Sequence, residues 1–424
     1  MLALLAAPFL AAATDSLTVE QCRQLALQNS PLQQKKLLAE SIAALQLRNV
    51  RSNSLPRFSV NGQATWQSDV FGLPISSPLF EVPTVPKDQY KLALDVAERL
   101  YDGGSDKIAR QQRDLENQLA AAQVDVDVFQ LREVVTDLFF KTLLLQKTDY
   151  VLLATLDDLQ RRLRQTEAMV AEGVALRTAA DQIRIQVLKT NQQIAATRAD
   201  KTALLETLAK WLGRENVDFA LSPPSPLKGE PNAAPSQTPP SGGGGGRPET
   251  QLFALQQRNL ALAKSALDLK ARPKVEAFVQ TGFGRPNPFN FFETGFEPFA
   301  IVGLRATWTP YDWGNRRRDA QVLDLQAKNV AVQQQAFDQR LGASLVKDRS
   351  DAAKMEGQLK QDADIIALQE DIVKRTEAQV KNGVATVTDY LAQVNLLTQA
   401  RLTRATHEVQ MWQAQENLRA KTGE

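Results

Sequence analysis

The 424-residue sequence predicts an α+β membrane fold built from two internal repeats. Each chain supplies four β-strands to a trimeric 12-stranded barrel, and a long α-helical barrel continues it. Three observations lead there. Alternating strands of about ten residues occur in two pairs, the length that crosses a bilayer when tilted. Proline-free helical runs of roughly 68 residues are about 100 Å long and fit no single globular core. Finally, the second half of the chain restates the first.

Composition narrows the function classes. Hydrophobic residues make up 43%, and 50 Lys plus Arg stand against 48 Asp plus Glu for a net charge of +2. That balance gives no case for nucleic acid or an acidic substrate. One cysteine, Cys22, and one histidine, His407, leave little material for a Cys/His zinc site, a disulfide framework or a Cys/His nucleophilic pair. Cys22 reads as a small buried side chain on the first helix, and His407 as an ordinary helix-surface residue. With no catalytic constellation, the chain is expected to be no enzyme and to need no cofactor or metal.

The first 13 residues, apolar from Leu2 and closing on Ala11-Ala12-Ala13, read as a signal peptide without its basic n-region; a ragged helical turn is the alternative. No other stretch holds 18 apolar residues in a row, so no transmembrane helix is expected.

From Leu17 to about Ser54 the apolar residues recur at helical spacing until Pro56. Phe58, Val60, Gly62, Ala64 and Trp66 then alternate with polar residues, the pattern of a strand with one apolar face. A proline-rich loop with Pro74, Pro78, Pro83 and Pro86 follows. The next strand places Tyr90, Leu92, Leu94 and Val96 on its apolar face and closes at Tyr101-Asp102-Gly103-Gly104, with Ser105 as the expected N-cap. A helix runs from Ser105 to Glu172, and Leu152, Leu156, Leu159 and Leu163 form a coiled-coil seam on it. Gly173-Val174-Ala175 turns the chain, with Thr178 offered as a cap, and a second helix returns to Gly213. Residues 214–250 carry eight prolines and the run Gly242 to Gly246, a flexible linker.

Beyond it, Pro31 and Pro56 recur as Pro248 and Pro273, displaced by 217 positions. Tyr101-Asp102-Gly103-Gly104 recurs as Tyr311-Asp312-Trp313-Gly314, Gly173-Val174-Ala175 as Gly383-Val384-Ala385, and Gly213 as Gly423, all displaced by 210. The first repeat therefore spans 14–213 and the second 251–424. Strand faces are kept: Val275, Ala277, Val279, Thr281 and Phe283, then Val302, Leu304, Ala306 and Trp308, occupy the apolar parity. The second strand loop holds Phe289, Phe291, Phe292, Phe296 and Phe299, either a packed loop core or an interfacial girdle.

Four strands cannot close around a lumen, and open edges are not tolerated in lipid, so several chains must share one barrel. Three chains give the 12 strands. The polar parity would then line the pore, with Asp95 and Arg305 at equivalent inward positions.

These features together resemble the TolC-type outer-membrane efflux protein family. The resemblance rests on the opening Leu17-Thr18-Val19-Glu20-Gln21-Cys22, on Leu55-Pro56, on the two Tyr-Asp-x-Gly strand exits and on the paired Gly-Val-Ala tips. It implies a homotrimer in the outer membrane with a large periplasmic part. It also implies an equatorial region near the linker, a periplasmic adaptor and an inner-membrane transporter as partners, and a passive export role. Under it, Gly173, Val174, Ala175, Gly383, Val384 and Ala385 are the adaptor-docking tips. Asp389 matches the first acidic position of a constricting ring at the periplasmic aperture. The second such position is Ala392 here. Ala179 is the repeat partner of Asp389, and the first tip's acid is Asp181. Arg99 stands where the family often has proline. Arg316-Arg317-Arg318 read as a solvated first helical turn or as a contact for anionic headgroups. A soluble periplasmic coiled-coil scaffold or adhesin is the competing class.

Overall fold

The structure is a computed structural model that describes residues 16–70, 85–217, 219–224, 247–290 and 293–422. The signal peptide at 1–13, Pro74, Pro78 and Pro83, the Gly242–Gly246 run, Phe291, Phe292 and Gly423 lie outside the described residues.

The elements run β1 (Ser16–Leu17), α1 (Val19–Asn29), α2 (Leu32–Ser52), β2 (Arg57–Trp66), β3 (Asp88–Tyr101), α3 (Ser105–Ala171), α4 (Arg177–Leu212), β4 (Ala220–Leu221), α5 (Pro248–Leu269), β5 (Lys274–Arg285), β6 (Glu297–Thr307), α6 (Asn315–Lys381) and α7 (Val387–Thr422). The chain is mostly helical. Its residues divide into two compact units: one comprises 1–35, 123–250 and 335–424, the other 36–122 and 251–334.

The second unit holds the sheet, a four-stranded antiparallel array in the order β2-β3-β5-β6. Each strand exit turns into its long helix through one carboxylate. Asp102 accepts hydrogen bonds from the backbone N–H of Gly104 at 2.8 Å and of Asp106 at 2.5 Å. Asp312 does the same for Gly314 at 3.1 Å and Arg316 at 3.0 Å. These bonds hold both carboxyls below the usual aspartate range, although partial burial of Asp102 opposes the shift there. Ser105 was the expected cap of α3; instead its hydroxyl donates to the Asp102 carbonyl at 2.8 Å, and Asp102 supplies the acceptor for the free amides.

The first unit is helical. Its main core gathers Cys22 and Ala26 of α1, Val135, Phe139, Phe140 and Leu143 of α3, and Leu208 and Leu212 of α4, with Leu221 of β4. Phe139 and Phe140 meet edge to face at 5.3 Å between centroids. β1 pairs in parallel with β4, and the Gln146 side chain brackets that strand, donating to the Leu221 carbonyl at 3.0 Å and accepting from its N–H at 3.1 Å. β4 and the first residues of α5 thus fall inside the 214–250 stretch read as linker, with Pro248 at the first helical position, where its missing N–H costs nothing.

Two expectations change. The helix from Leu17 to Ser54 is two helices, because Ser30 before Pro31 is extended (ψ 138°) and the proline cannot donate into the preceding turn. α1 instead opens on a reciprocal cap between Thr18 and Gln21. His407 is no ordinary surface residue: its Nδ1 lies 2.7 Å from the Asp362 carboxylate, with both side chains largely buried.

Cys22 is fully buried, and that burial pushes its thiol up to about 12. The folded protein at pH 8 should therefore leave an aromatic disulfide reagent unreacted, while the denatured chain releases one equivalent. Reaction in the folded state at the rate of free cysteine would contradict the packing described for α1.

Candidate functional site

Three groups of residues carry the functional expectations: the helical tips, the acidic residues beside them, and the two faces of the sheet.

Both tips are closed by a glycine in the left-handed region, Gly173 and Gly383, each at φ 73°. The residue after each glycine bonds back across the last turn, Val174 N–H to the Met169 carbonyl at 2.9 Å and Val384 N–H to the Gln379 carbonyl at 2.8 Å. These are helix-ending bonds of the kind glycine permits, and they leave Val174 and Val384 pointing into solvent. The helices that leave the tips start differently. α7 opens on a reciprocal box: the Asp389 N–H donates to Thr386 Oγ1 at 3.2 Å, while Asp389 Oδ2 accepts from the Thr386 N–H at 2.9 Å and hydroxyl at 2.6 Å. α4 opens on Leu176, which offers no side-chain cap. Thr178, expected to cap, lies inside α4 at its second residue, past the capping position.

The acidic positions are therefore engaged locally. The Thr386 hydroxyl and then its N–H hold the Asp389 carboxyl below the usual aspartate range. Asp181 pairs with Arg184 at 3.5 Å, and Arg184 also reaches Glu167 at 2.6 Å. The two tips belong to the same unit and share a core. Leu159 of α3, Ile183 and Val187 of α4, and Tyr390, Leu391 and Val394 of α7 pack together. Thr388 Oγ1 donates to Gln182 Oε1 at 3.2 Å, linking the segments that carry Asp181 and Asp389.

One constellation was missed in the sequence. Arg162, buried at 8% exposure on the seam side of α3, binds Glu377 of α6 at 3.0 Å and lies 5.0 Å from the Tyr390 ring center. The only sequence signal for it is an arginine set directly before Leu163 of the leucine seam.

The sheet's two faces differ in chemistry. Register places Phe58, Val96, Val279 and Val302 in one cross-strand row and Val60, Leu94, Thr281 and Ala300 in the next. Most of this apolar face is bare: Val302 is 77% exposed, and Phe58, Val60, Leu92 and Leu304 are exposed too. The opposite face carries a polar ladder. Asp95 accepts from Asn61 at 2.5 Å and from the Gln280 amide, and Gln280 Oε1 accepts from Lys91 at 3.1 Å. Arg305 is on this same face, paired with Glu276 at 3.3 Å and stacked 4.8 Å from the Phe278 ring center. The face is not uniformly polar, because Phe278, Phe299 and Ile301 share its parity. Phe299 is buried, edge-on to Phe289 at 5.8 Å and under Lys91, while Phe289 and Phe296 stay exposed. The aromatic loop is thus partly packed and partly displayed.

Solved outer-membrane channels share this fold. The outer membrane protein VceC from Vibrio cholerae superposes with a TM-score of 0.72 at 12% identity, covering 96% of each chain. A structure of CusC gives 0.73 at 14%, over 97% of this chain and 93% of that one. The CmeC outer membrane channel of Campylobacter jejuni gives 0.71 at 13%, over 96% and 85%. The class is that of an outer-membrane channel fold. Residues 22–214 match the family model described as outer membrane efflux protein. No curated protein sequence matches the chain.

The Thr386–Asp389 box makes one tip acid-sensitive. A carboxyl whose folded pKa lies below its unfolded value of 3.8 stabilises above the unfolded pKa, and loses that contribution as pH falls through the folded pKa. Relative to the intrinsic rate at each pH, hydrogen exchange of the amides that open α7 should therefore accelerate below about pH 4, more than at the start of α4, which has no such box. Equal acceleration at both helix starts would refute the role of the carboxylate.

Proposed function

We propose that the chain is one third of an outer-membrane exit duct, passively conducting substrates handed over by a periplasmic adaptor and an energised inner-membrane transporter. The observation that carries this reading is the sheet: four strands of 10 to 14 residues with one bare apolar face, one hydrogen-bonded polar face, and outer strands β2 and β6 that each have a neighbour on one side only. In water such a surface is a liability; against lipid it is the required surface. The open edges are resolved when β2 of one copy pairs with β6 of the next, and three copies close a 12-stranded barrel. Asp95 and Arg305 then line its lumen.

The helices support the same reading. α3 and α6 have 67 residues each, and α4 and α7 have 36 each. Equal pairs are what two repeats, 14–213 and 251–424, would produce, with the 214–250 segment joining them near an equatorial region. Twelve helices from three copies would form a periplasmic tunnel. Its mouth would carry the tips Gly173-Val174-Ala175 and Gly383-Val384-Ala385, whose exposed valines suit an adaptor's apolar contact. The family-model match over residues 22–214 and the shared channel fold support an outer-membrane location and a transport role without catalysis. The bare apolar sheet face weighs against a soluble scaffold or adhesin.

If this is right, the protein fractionates with outer membranes and runs as a trimer in mild detergent; a soluble monomer would overturn the proposal. Replacing Leu94 and Val302 together with Asp should abolish membrane insertion, each charge costing on the order of 2 kcal/mol in the lipid-facing wall, while helical circular dichroism persists. Insertion of that double variant at the wild-type level would count against a barrel.

The aperture has its own test. Asp389→Asn keeps the acceptor for Thr386 and removes the charge, so it separates a charged ring from a helix cap. Three such charges around a threefold axis should bind cations, and the variant should show weaker cation block or higher conductance in planar bilayers. Unchanged single-channel recordings would sink the ring.

A further inference from the structure

The second strand exit, Trp308 to Arg318, has features that the duct itself does not require. Trp313 occupies the left-handed region at φ 57°. It is the only non-glycine residue to do so among the described residues, and such a conformation is strained for a residue with a Cβ. The matching position in the first exit is Gly103, at φ 72°, where an added Cβ would lie 2.9 Å from the Cβ of Arg272. The first exit therefore demands glycine, and the second has accepted a tryptophan at the cost of strain.

That strain brings no burial in return. Trp313 is 77% exposed, and Tyr311, its edge-to-face partner at 5.2 Å, is exposed too. Trp308, which follows the end of β6 and continues its apolar parity, is also exposed, with its indole N–H fixed on the Ala271 carbonyl at 2.9 Å. Three amphipathic rings within six positions suit the boundary between hydrocarbon and headgroups.

The charges alongside are unbalanced. Arg316 pairs with Asp312 at 3.0 Å. Arg318 reaches only the neutral Asn315 side chain at 2.6 Å, and Arg317 makes no ion pair among the described residues. The first turn of α6 holds no acid, whereas that of α3 has Asp106. Two guanidinium groups thus sit uncompensated at a helix start, where the helix dipole disfavours them. An anion supplied from outside the chain would settle both.

We propose that this exit docks the phosphate of an anionic phospholipid, held by Arg317 and Arg318 with the Trp313 indole laid against the glycerol and upper acyl region. The inference rests on the membrane reading above and names the lipid class that the barrel rim selects. Phosphate is the match because guanidinium binds it with paired, charge-assisted hydrogen bonds, and the rings place those guanidinium groups at headgroup depth.

The test is made on the full-length protein in vesicles of phosphatidylcholine with a minority of phosphatidylglycerol, the bromine quencher being carried on the acyl chains of one lipid or the other. The signal of Trp313 is the difference between wild type and Trp313→Phe. The expected result is quenching that favours phosphatidylglycerol. The preference falls roughly fivefold for each arginine lost, corresponding to about 1 kcal/mol per basic residue near an anionic surface. Arg317→Gln with Arg318→Gln should remove the preference, and the paired Lys variants should retain part of it. Equal quenching by both lipids, or a preference unaffected by the Gln variants, would overturn the inference. Quenching of Trp308 without headgroup preference at Trp313 would leave the membrane reading standing and this inference refuted. No quenching at either ring would refute both. Trp313→Gly should melt no lower than wild type; a lower melting temperature would show that the ring serves the fold instead.

Discussion

A sheet face made of valine, leucine and phenylalanine cannot be left open to water, and the rest of this molecule is arranged around that constraint. In β2, β3, β5 and β6 the apolar row faces outward without a covering layer, while the hydrogen-bonding side chains collect on the other face. An ordinary two-layer domain would reverse this and bury the apolar face under helices. Here the long helices leave the strand exits and the helical core lies in a separate unit, so none of the described elements takes the covering role. In the reading proposed above, lipid supplies the cover and neighbouring copies pair with the outer strands.

The turn from strand to helix makes this arrangement affordable in backbone terms. A helix of 67 residues begins with four amide groups that lack partners, and both long helices begin a short turn after a strand. One aspartate at each exit accepts from one of those amides, Asp106 or Arg316, and from the glycine amide just before the helix, while Gly103, Gly104, Trp313 and Gly314 take up the left-handed bends. The same device used twice explains why the Tyr-Asp-x-Gly pattern recurs, and why substitution of glycine by Trp313 in one copy stands out as a departure with its own cause.

Much of this was legible in the sequence where the signal has a strong period. The strand faces follow a repeat of two, so the parity of Phe58, Leu94, Val279 and Val302 could be read directly. Tip glycines announced themselves because few residues tolerate their conformation. Features resting on contacts between distant segments were not legible. Arg162 looked like one more charge on a long helix until Glu377 and Tyr390 were brought to it. His407 looked exposed until Asp362 was placed beside it. β1 and β4, two residues each, carry no pattern at all, and Ser105 outranked Asp102 as a cap only because cap preferences do not reveal which side chain faces the free amides.

The two tips are the last place where sequence and structure inform each other. Their glycine turns are the same, yet α7 starts from a reciprocal Thr386–Asp389 box and α4 from an uncapped leucine. A cap of this kind satisfies amides that are otherwise left to water, so the start of α4 frays more readily than that of α7. The shared core of Ile183, Val187, Tyr390 and Val394 then couples a looser helix start to a firmer one. Any partner that orders the first tip therefore acts on the element with more freedom to lose, while the second tip presents a nearly fixed surface. Asp389 belongs to the fixed side. Its carboxylate is held at the helix start by Thr386, and a charge held in place is what a ring of like charges around an axis requires.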